Sequence, residues 1–260
     1  VAEDVVIVDR EGAVATITLN RPEKRNAIST ALMEQLTAAI LELDVDAEVR
    51  AIILTGADPA FCAGVDLEDF SRVLDQAILA PSDITPPVLG MLPPHDTPII
   101  GAINGPVATG GLEIAMDCDF LIASERARFA DTHTRVGVLP GGGMTVRLPH
   151  LVGIDRARRM SLTGDFIDAE TALTWGLVTE VTPHGRLLDR AREIAGSIVS
   201  IDPAATSAMR RVYAEVEACA GEAAYHAEVA GHERWMASHF DPASLSERRA
   251  GIIERGSKQA

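Results

Sequence analysis

Three short and nearly unbroken apolar runs constrain the fold most: "RAIILTG" at 50–56, "TPIIGAING" at 97–105 and "DFLIAS" at 119–124. Runs of this length, rich in isoleucine and free of polar alternation, suit strands covered on both faces. Between the second and third lies "GGLEIAMDC", which reads as a helix after a glycine-rich turn. Strand, helix and strand in that order require crossover connections, so the pattern predicts an α/β fold with parallel strands.

The flanking segments fill out this plan. "VVIVDREGAVATITLN" reads as an opening hairpin about Glu11 and Gly12. In "STALMEQLTAAILELDVDAEV", Leu32, Leu36, Ile40 and Leu43 recur at helical spacing, with Ser29 or Thr30 placed to cap the start. The stretch 71–96 carries Pro81, Pro86, Pro87, Pro93 and Pro94, so its second half reads as a loop, either a lid over a pocket or a plain connection. "DAETALTWG" predicts a helix from near Asp168 to Gly176, and the alanine-rich segments 185–200 and 202–240 predict further helices. Trp235, Met236 and Phe240 read as packing or subunit-contact groups.

The chain's 260 residues suffice for one substantial domain with a helical extension. A net charge of -15 opposes a nucleic-acid partner, which needs a positive surface, but leaves room for a small anionic ligand met by local groups. Cys62, Cys118 and Cys219 lack the number and clustering of a disulfide framework. No signal-peptide pattern and no membrane-spanning run is present, so a soluble cytoplasmic protein without membrane insertion is expected. Metal-ligand spacings, a GxGxxG fingerprint and a GxSxG elbow are also missing.

Three places offer chemistry. The small residues of "GADPAFCAGVDLEDF" permit close approach of a ligand to backbone N–H groups, and read equally as a tight turn. Thr109, Gly110 and Gly111 precede a helix that carries Glu113 in its first turn, where an acidic side chain also serves as a plain helix cap. Asp131 and His133 stand two residues apart just before "LPGGG", either aimed at a cleft or tying down their own loop.

Together, "NRPEKRNAIS", "ILTGADPAFCAGVDL", "PIIGAINGPVATGGLEIAMDCDFLIAS", "LPGGG" and "LTGDFIDAETALTWGLV", in that order, resemble the enoyl-CoA hydratase/isomerase (crotonase) superfamily. "SERRAGIIERG" resembles its terminal helix. The resemblance implies a crotonase-like spiral of repeated ββα units over 1–195 and a helical oligomerisation region over 196–260. It further implies a homotrimer or dimer of trimers, and an acyl-CoA thioester as substrate, with coenzyme A entering as part of that substrate rather than as a separate cofactor.

Carried over residue by residue, the backbone N–H groups of Ala63 and Gly110 form the oxyanion hole, and Glu113 is the first of two reacting groups. Ala60, Phe61, Asp66, Leu67 and Gly111 line the substrate, and Lys24 and Arg25 face the nucleotide side. The second reacting position, a glutamate in the family's hydratases, is His133 here. The implied activity is hydration of a 2-enoyl-CoA. Another acyl-CoA lyase, isomerase or thioester hydrolase is the enzymatic alternative, and an acyl-CoA-binding protein with little turnover the non-enzymatic one.

Overall fold

The computed structural model describes residues 4–66, 90–238 and 251. β1 (Val6–Glu11) and β2 (Val14–Leu19) form the expected antiparallel hairpin. A 3-10 turn at Pro22–Lys24 leads to α1 (Thr30–Val45), capped by the Ser29 side chain, which accepts from Leu32 N. Leu32, Leu36, Ile40 and Leu43 are its buried residues, as their spacing predicts. Next come β3 (Ala51–Gly56), β4 (Ile99–Ile103), β5 (Pro106–Ala108) and α2 (Gly110–Met116). β6 (Phe120–Ser124), β7 (Arg128–Ala130) and the single turn α3 (His133–Val136) repeat that strand-strand-helix order.

The chain continues through α4 (Met144–Val152), α5 (Ile154–Thr163), β8 (Ile167–Asp168) and α6 (Ala169–Trp175). It then runs through β9 (Glu180–Thr182), α7 (Leu187–Val199) and the long α8 (Pro203–Ser238). One sheet has the order β1-β2-β3-β4-β6-β9, parallel from β2 onward, and a second has the order β5-β7-β8. After β4, and again after β6, the chain steps from the large sheet to the small one before entering a helix. This repeat is the ββα spiral. Its first corner needs glycine at 105, where a Cβ would lie 2.4 Å from the Pro59 carbonyl oxygen.

Strand β3 shows why its run is apolar throughout. Ile52 and Leu54 join α1 in one core, while Ala51 and Ile53 point the other way, against Leu187, Ala191 and Ala195 of α7. Alternate side chains of a strand face opposite sides, so a strand between two helical layers has no polar face. The expected boundary at 195 therefore falls inside α7, a helix that belongs to the core; the C-terminal helix begins at Pro203. The "SERRAGIIERG" segment, apart from Gly251, and most of the proline-rich stretch lie outside the described residues. Among the described residues, no helix is long and apolar enough to cross a membrane.

Ile53 is fully buried between the sheet and α7, so Ile53→Ala is expected to remove about 2–5 kcal/mol of stability. Equilibrium urea unfolding checks this, and a loss below about 0.5 kcal/mol would contradict the packing of α7 on the sheet.

Candidate active site

Parallel pairing of β5 with β7 sets Ala108 opposite Ala130, so the residues that follow the two strands emerge side by side. From β5 come Thr109, Gly110 and, one turn into α2, Glu113; from β7 come Asp131, Thr132 and His133. The Thr109 and Thr132 hydroxyls are hydrogen-bonded at 2.8 Å, and Thr109 N donates to the Ala130 carbonyl. Thr109 has φ of 54°, a conformation costly for a β-branched residue and held here by those two contacts. It fixes the direction of the Gly110 N–H that follows it.

Asp131, His133 and Glu113 form a buried line, at 1%, 5% and 4% exposure. His133 Nδ1 lies 2.6 Å from Asp131 Oδ1, and His133 Nε2 lies 3.7 Å from Glu113 Oε2. Asp131 thereby holds Nδ1–H and leaves Nε2 as the nitrogen that exchanges protons. Burial alone raises a carboxyl pKa, and it pushes Glu113 up to about 7 despite the attraction of His133. Burial opposes the charge on His133 too, yet the hydrogen bond to Asp131 and the nearby Glu113 carboxylate outweigh it and raise the imidazole's pKa. Asp131 keeps its carboxyl below the ordinary range, because the His133 hydrogen bond and charge overcome its own desolvation.

Glu113 is oriented by the "LPGGG" turn. Its Oε1 accepts from Gly142 N at 2.9 Å and Met144 N at 3.3 Å, which leaves Oε2 toward His133. Glycine is required at 142, where a Cβ would sit 2.8 Å from both Glu113 Cδ and Met91 Sδ.

The expected oxyanion donor Ala63 is corrected. Its N–H is already committed, donating to the Arg25 carbonyl at 3.0 Å. Two residues on, Val65 pairs with Ile28: Ile28 N donates to Gly64 O, and Asp66 N donates to Ile28 O. In such a pairing Val65's own N–H points away from Ile28. Val65 N and Gly110 N have no acceptor among the described residues. A Cβ built on Gly110 would lie 3.3 Å from Val65 Cγ2 and 4.0 Å from Glu113 Oε2, so Gly110 sits between Val65 and the carboxylate.

The remaining expected residues divide. The Arg21–Ala27 loop reaches the same turn, since Asn26 Nδ2 donates to Ala57 O and Ala60 O; this places Lys24 and exposed Arg25 beside it. Phe61 is corrected as a ligand contact: its side chain is fully buried in the core. The Asp66 carboxylate pairs with Arg21 at 3.0 Å and braces the turn. Ala60 is fully buried. Gly111 permits close packing, its Cβ position lying 2.5 Å from Cys62 O. Cys62 is buried, with its thiol pushed up to about 12 by desolvation. Leu67 lies outside the described residues.

Sequence reasoning missed Val65 and Glu228. A cavity of about 1050 Å³ bounded by Asp117, Arg147, His150 and Arg210 shares only Gly143 with this site and contains neither Glu113 nor His133. Among the described residues no three His, Cys, Asp or Glu side chains group to hold a metal ion.

The family model described as enoyl-CoA hydratase/isomerase matches residues 9–250. The chain belongs to that family. A relative in Clostridium acetobutylicum, a short-chain-enoyl-CoA hydratase, is 39% identical over 77% of this chain and 77% of its own. The crystal structure of an enoyl-CoA hydratase from Mycobacterium tuberculosis superposes with a TM-score of 0.82 at 46% identity, covering 90% of this chain and 100% of that one. A carnitinyl-CoA dehydratase from Mycobacterium avium gives 0.79 at 31% identity, with 90% and 93% covered. The fold is thus shared by proteins named for different acyl-CoA substrates.

Glu113 gains protons on folding between its unfolded pKa near 4.5 and its folded value of about 7. The native state then binds more protons than the unfolded state, so this group's contribution to stability falls as pH rises through that window. Relative to Glu113→Gln, the wild type is expected to lose stability between pH 5 and 8, on the order of 3 kcal/mol in all. Urea unfolding of both proteins across that range is the measurement; a difference that stays constant with pH would contradict the burial argument.

Proposed function

We propose that this protein hydrates 2-enoyl-CoA thioesters, with Val65 N–H and Gly110 N–H as the oxyanion hole and with Glu113 and His133 moving the protons. The observation that carries this reading is that Val65 and Gly110, whose N–H groups have no acceptor among the described residues, pack beside the buried Glu113–His133 pair. Water adds through oxygen to the β-carbon and gives a proton to the Glu113 carboxylate. The carbon-carbon π electrons shift to the thioester oxygen, where preoriented N–H groups meet the growing negative charge.

The resulting enolate returns its electron pair to the α-carbon, which takes the proton from His133 Nε2. Glu113 then passes the water-derived proton across the 3.7 Å gap to His133, restoring both groups. A carboxylate with a pKa of about 7 is well matched to accept and release that proton near neutrality. Asp131 keeps the imidazole turned so that Nε2 serves throughout. Lys24 and Arg25, on the turn beside Ala63, supply positive charge for the nucleotide end of coenzyme A.

Assembly as a homotrimer or dimer of trimers completes the reading. Met209, Val212, Tyr213 and Val216 fall on one stripe of α8 and are 54–68% exposed, which leaves an apolar face for a second copy.

Purified wild type, Glu113→Gln and His133→Ala are to be compared with crotonyl-CoA by product mass spectrometry and steady-state kinetics. Each substitution is expected to lower kcat by about 10²–10⁴ while ligand affinity persists. Equal turnover in all three folded proteins would remove both residues from the chemistry. For assembly, light scattering is expected to give a trimer or hexamer that Tyr213→Glu weakens; a wild-type monomer at micromolar concentration would contradict the interface.

A further inference from the structure

The first backbone N–H groups of α4 are shared between two buried carboxylates. Gly142 N and Met144 N go to Glu113, as described, while Gly143 N and Thr145 N go to Glu228 at 2.7 and 2.5 Å; the Thr145 hydroxyl also donates to Glu228. Glu228 comes from α8 and is 8% exposed. Two further side chains of the same helix face reach the segment that joins α3 to α4. His232 Nδ1 lies 2.5 Å from the Leu139 carbonyl, and Trp235 Nε1 donates to the Gly137 carbonyl at 2.7 Å. Residues 228, 232 and 235 have i, i+4, i+7 spacing, so one face of α8 grips the backbone from 137 to 145.

That segment links the two reacting groups, since α3 begins at His133 and the turn at 142–144 seats Glu113. We propose that Glu228 is a positioning residue for the hydration reaction, holding the 142–145 turn in the alternating arrangement that orients Glu113 and adding a negative charge behind the Glu113–His133 pair. The C-terminal helix thereby has a role inside its own subunit's active site. The inference rests on the hydratase reading for its kinetic half only. The groups facing Glu113 are His133 on α3 and Glu228 on α8, with Asp131 behind His133; Glu228's charge favours a protonated His133.

Glu228→Gln preserves size and one acceptor oxygen but removes the charge. With crotonyl-CoA it is expected to lower kcat about tenfold with KM within about twofold, as misplacement of a reacting group does. By NMR titration of the imidazole, His133 is expected to lose its proton at lower pH than in the wild type. An unchanged kcat together with an unchanged His133 titration in the folded variant would overturn the proposal and leave Glu228 a helix cap. Should Glu228→Gln fail to fold, Trp235→Phe, which removes only the indole donor to Gly137, is expected to lower kcat at constant KM; an unchanged kcat would overturn the gripping role. If the wild type does not hydrate crotonyl-CoA, the hydratase reading fails by itself, and the His133 titration still decides the electrostatic role of Glu228.

Discussion

The hydrogen bond between Asp131 and His133, 2.6 Å long and buried, is the interaction on which the site depends. It places a cation-forming ring between two carboxylates in a region with almost no solvent. Charged groups are costly to bury unless neighbours compensate them. Asp131 compensates His133 on one side, Glu113 does so on the other, and backbone N–H groups of the glycine turn satisfy Glu113 in place of water. The same arrangement raises the pKa of Glu113 to about 7, so the burial that costs stability also prepares the proton carrier.

Much of this was legible in the sequence because it follows from periodicity. The unbroken apolar runs announced strands covered on both faces, and the 3.6-residue spacing of Leu32, Leu36 and Ile40 announced α1. Asp131 and His133 two residues apart, and Glu113 after a glycine turn, were visible as candidate chemistry, and the family resemblance singled out Glu113 and His133 as the expected reacting groups. The proposed donor at Val65 was not legible. Which of two N–H groups in "FCAGVDL" is free depends on the neighbouring 25–28 segment, where Arg25 engages Ala63 N while the pairing with Ile28 turns Val65 N away, leaving it without an acceptor among the described residues. Glu228 lay 85 residues from the turn it holds, with no local pattern to connect them. The boundary at 195 missed because an amphipathic helix reads the same whether it covers a sheet or another subunit.

On the proposed reading, histidine at the second reacting position alters the division of labour rather than removing it. Two glutamates around one water offer four acceptor oxygens and equivalent chemistry at either end. In the proposed reaction one end is an imidazole held through Nδ1, which leaves Nε2 to exchange protons, and Glu113 is the carboxylate that takes the proton from water. The proposed reaction therefore separates the two proton transfers: the oxygen-derived proton goes to Glu113, and the α-carbon exchanges with His133.

That separation is tested most directly by α-proton exchange, which needs no addition of water. Butyryl-CoA, a saturated thioester, incubated with enzyme in D₂O and followed by mass spectrometry isolates the step at the α-carbon. The account predicts that Glu113→Gln retains α-deuterium incorporation while losing hydration, and that His133→Ala loses both. Exchange that persists in His133→Ala, or that disappears with Glu113→Gln alone, would contradict the assignment of the two protons.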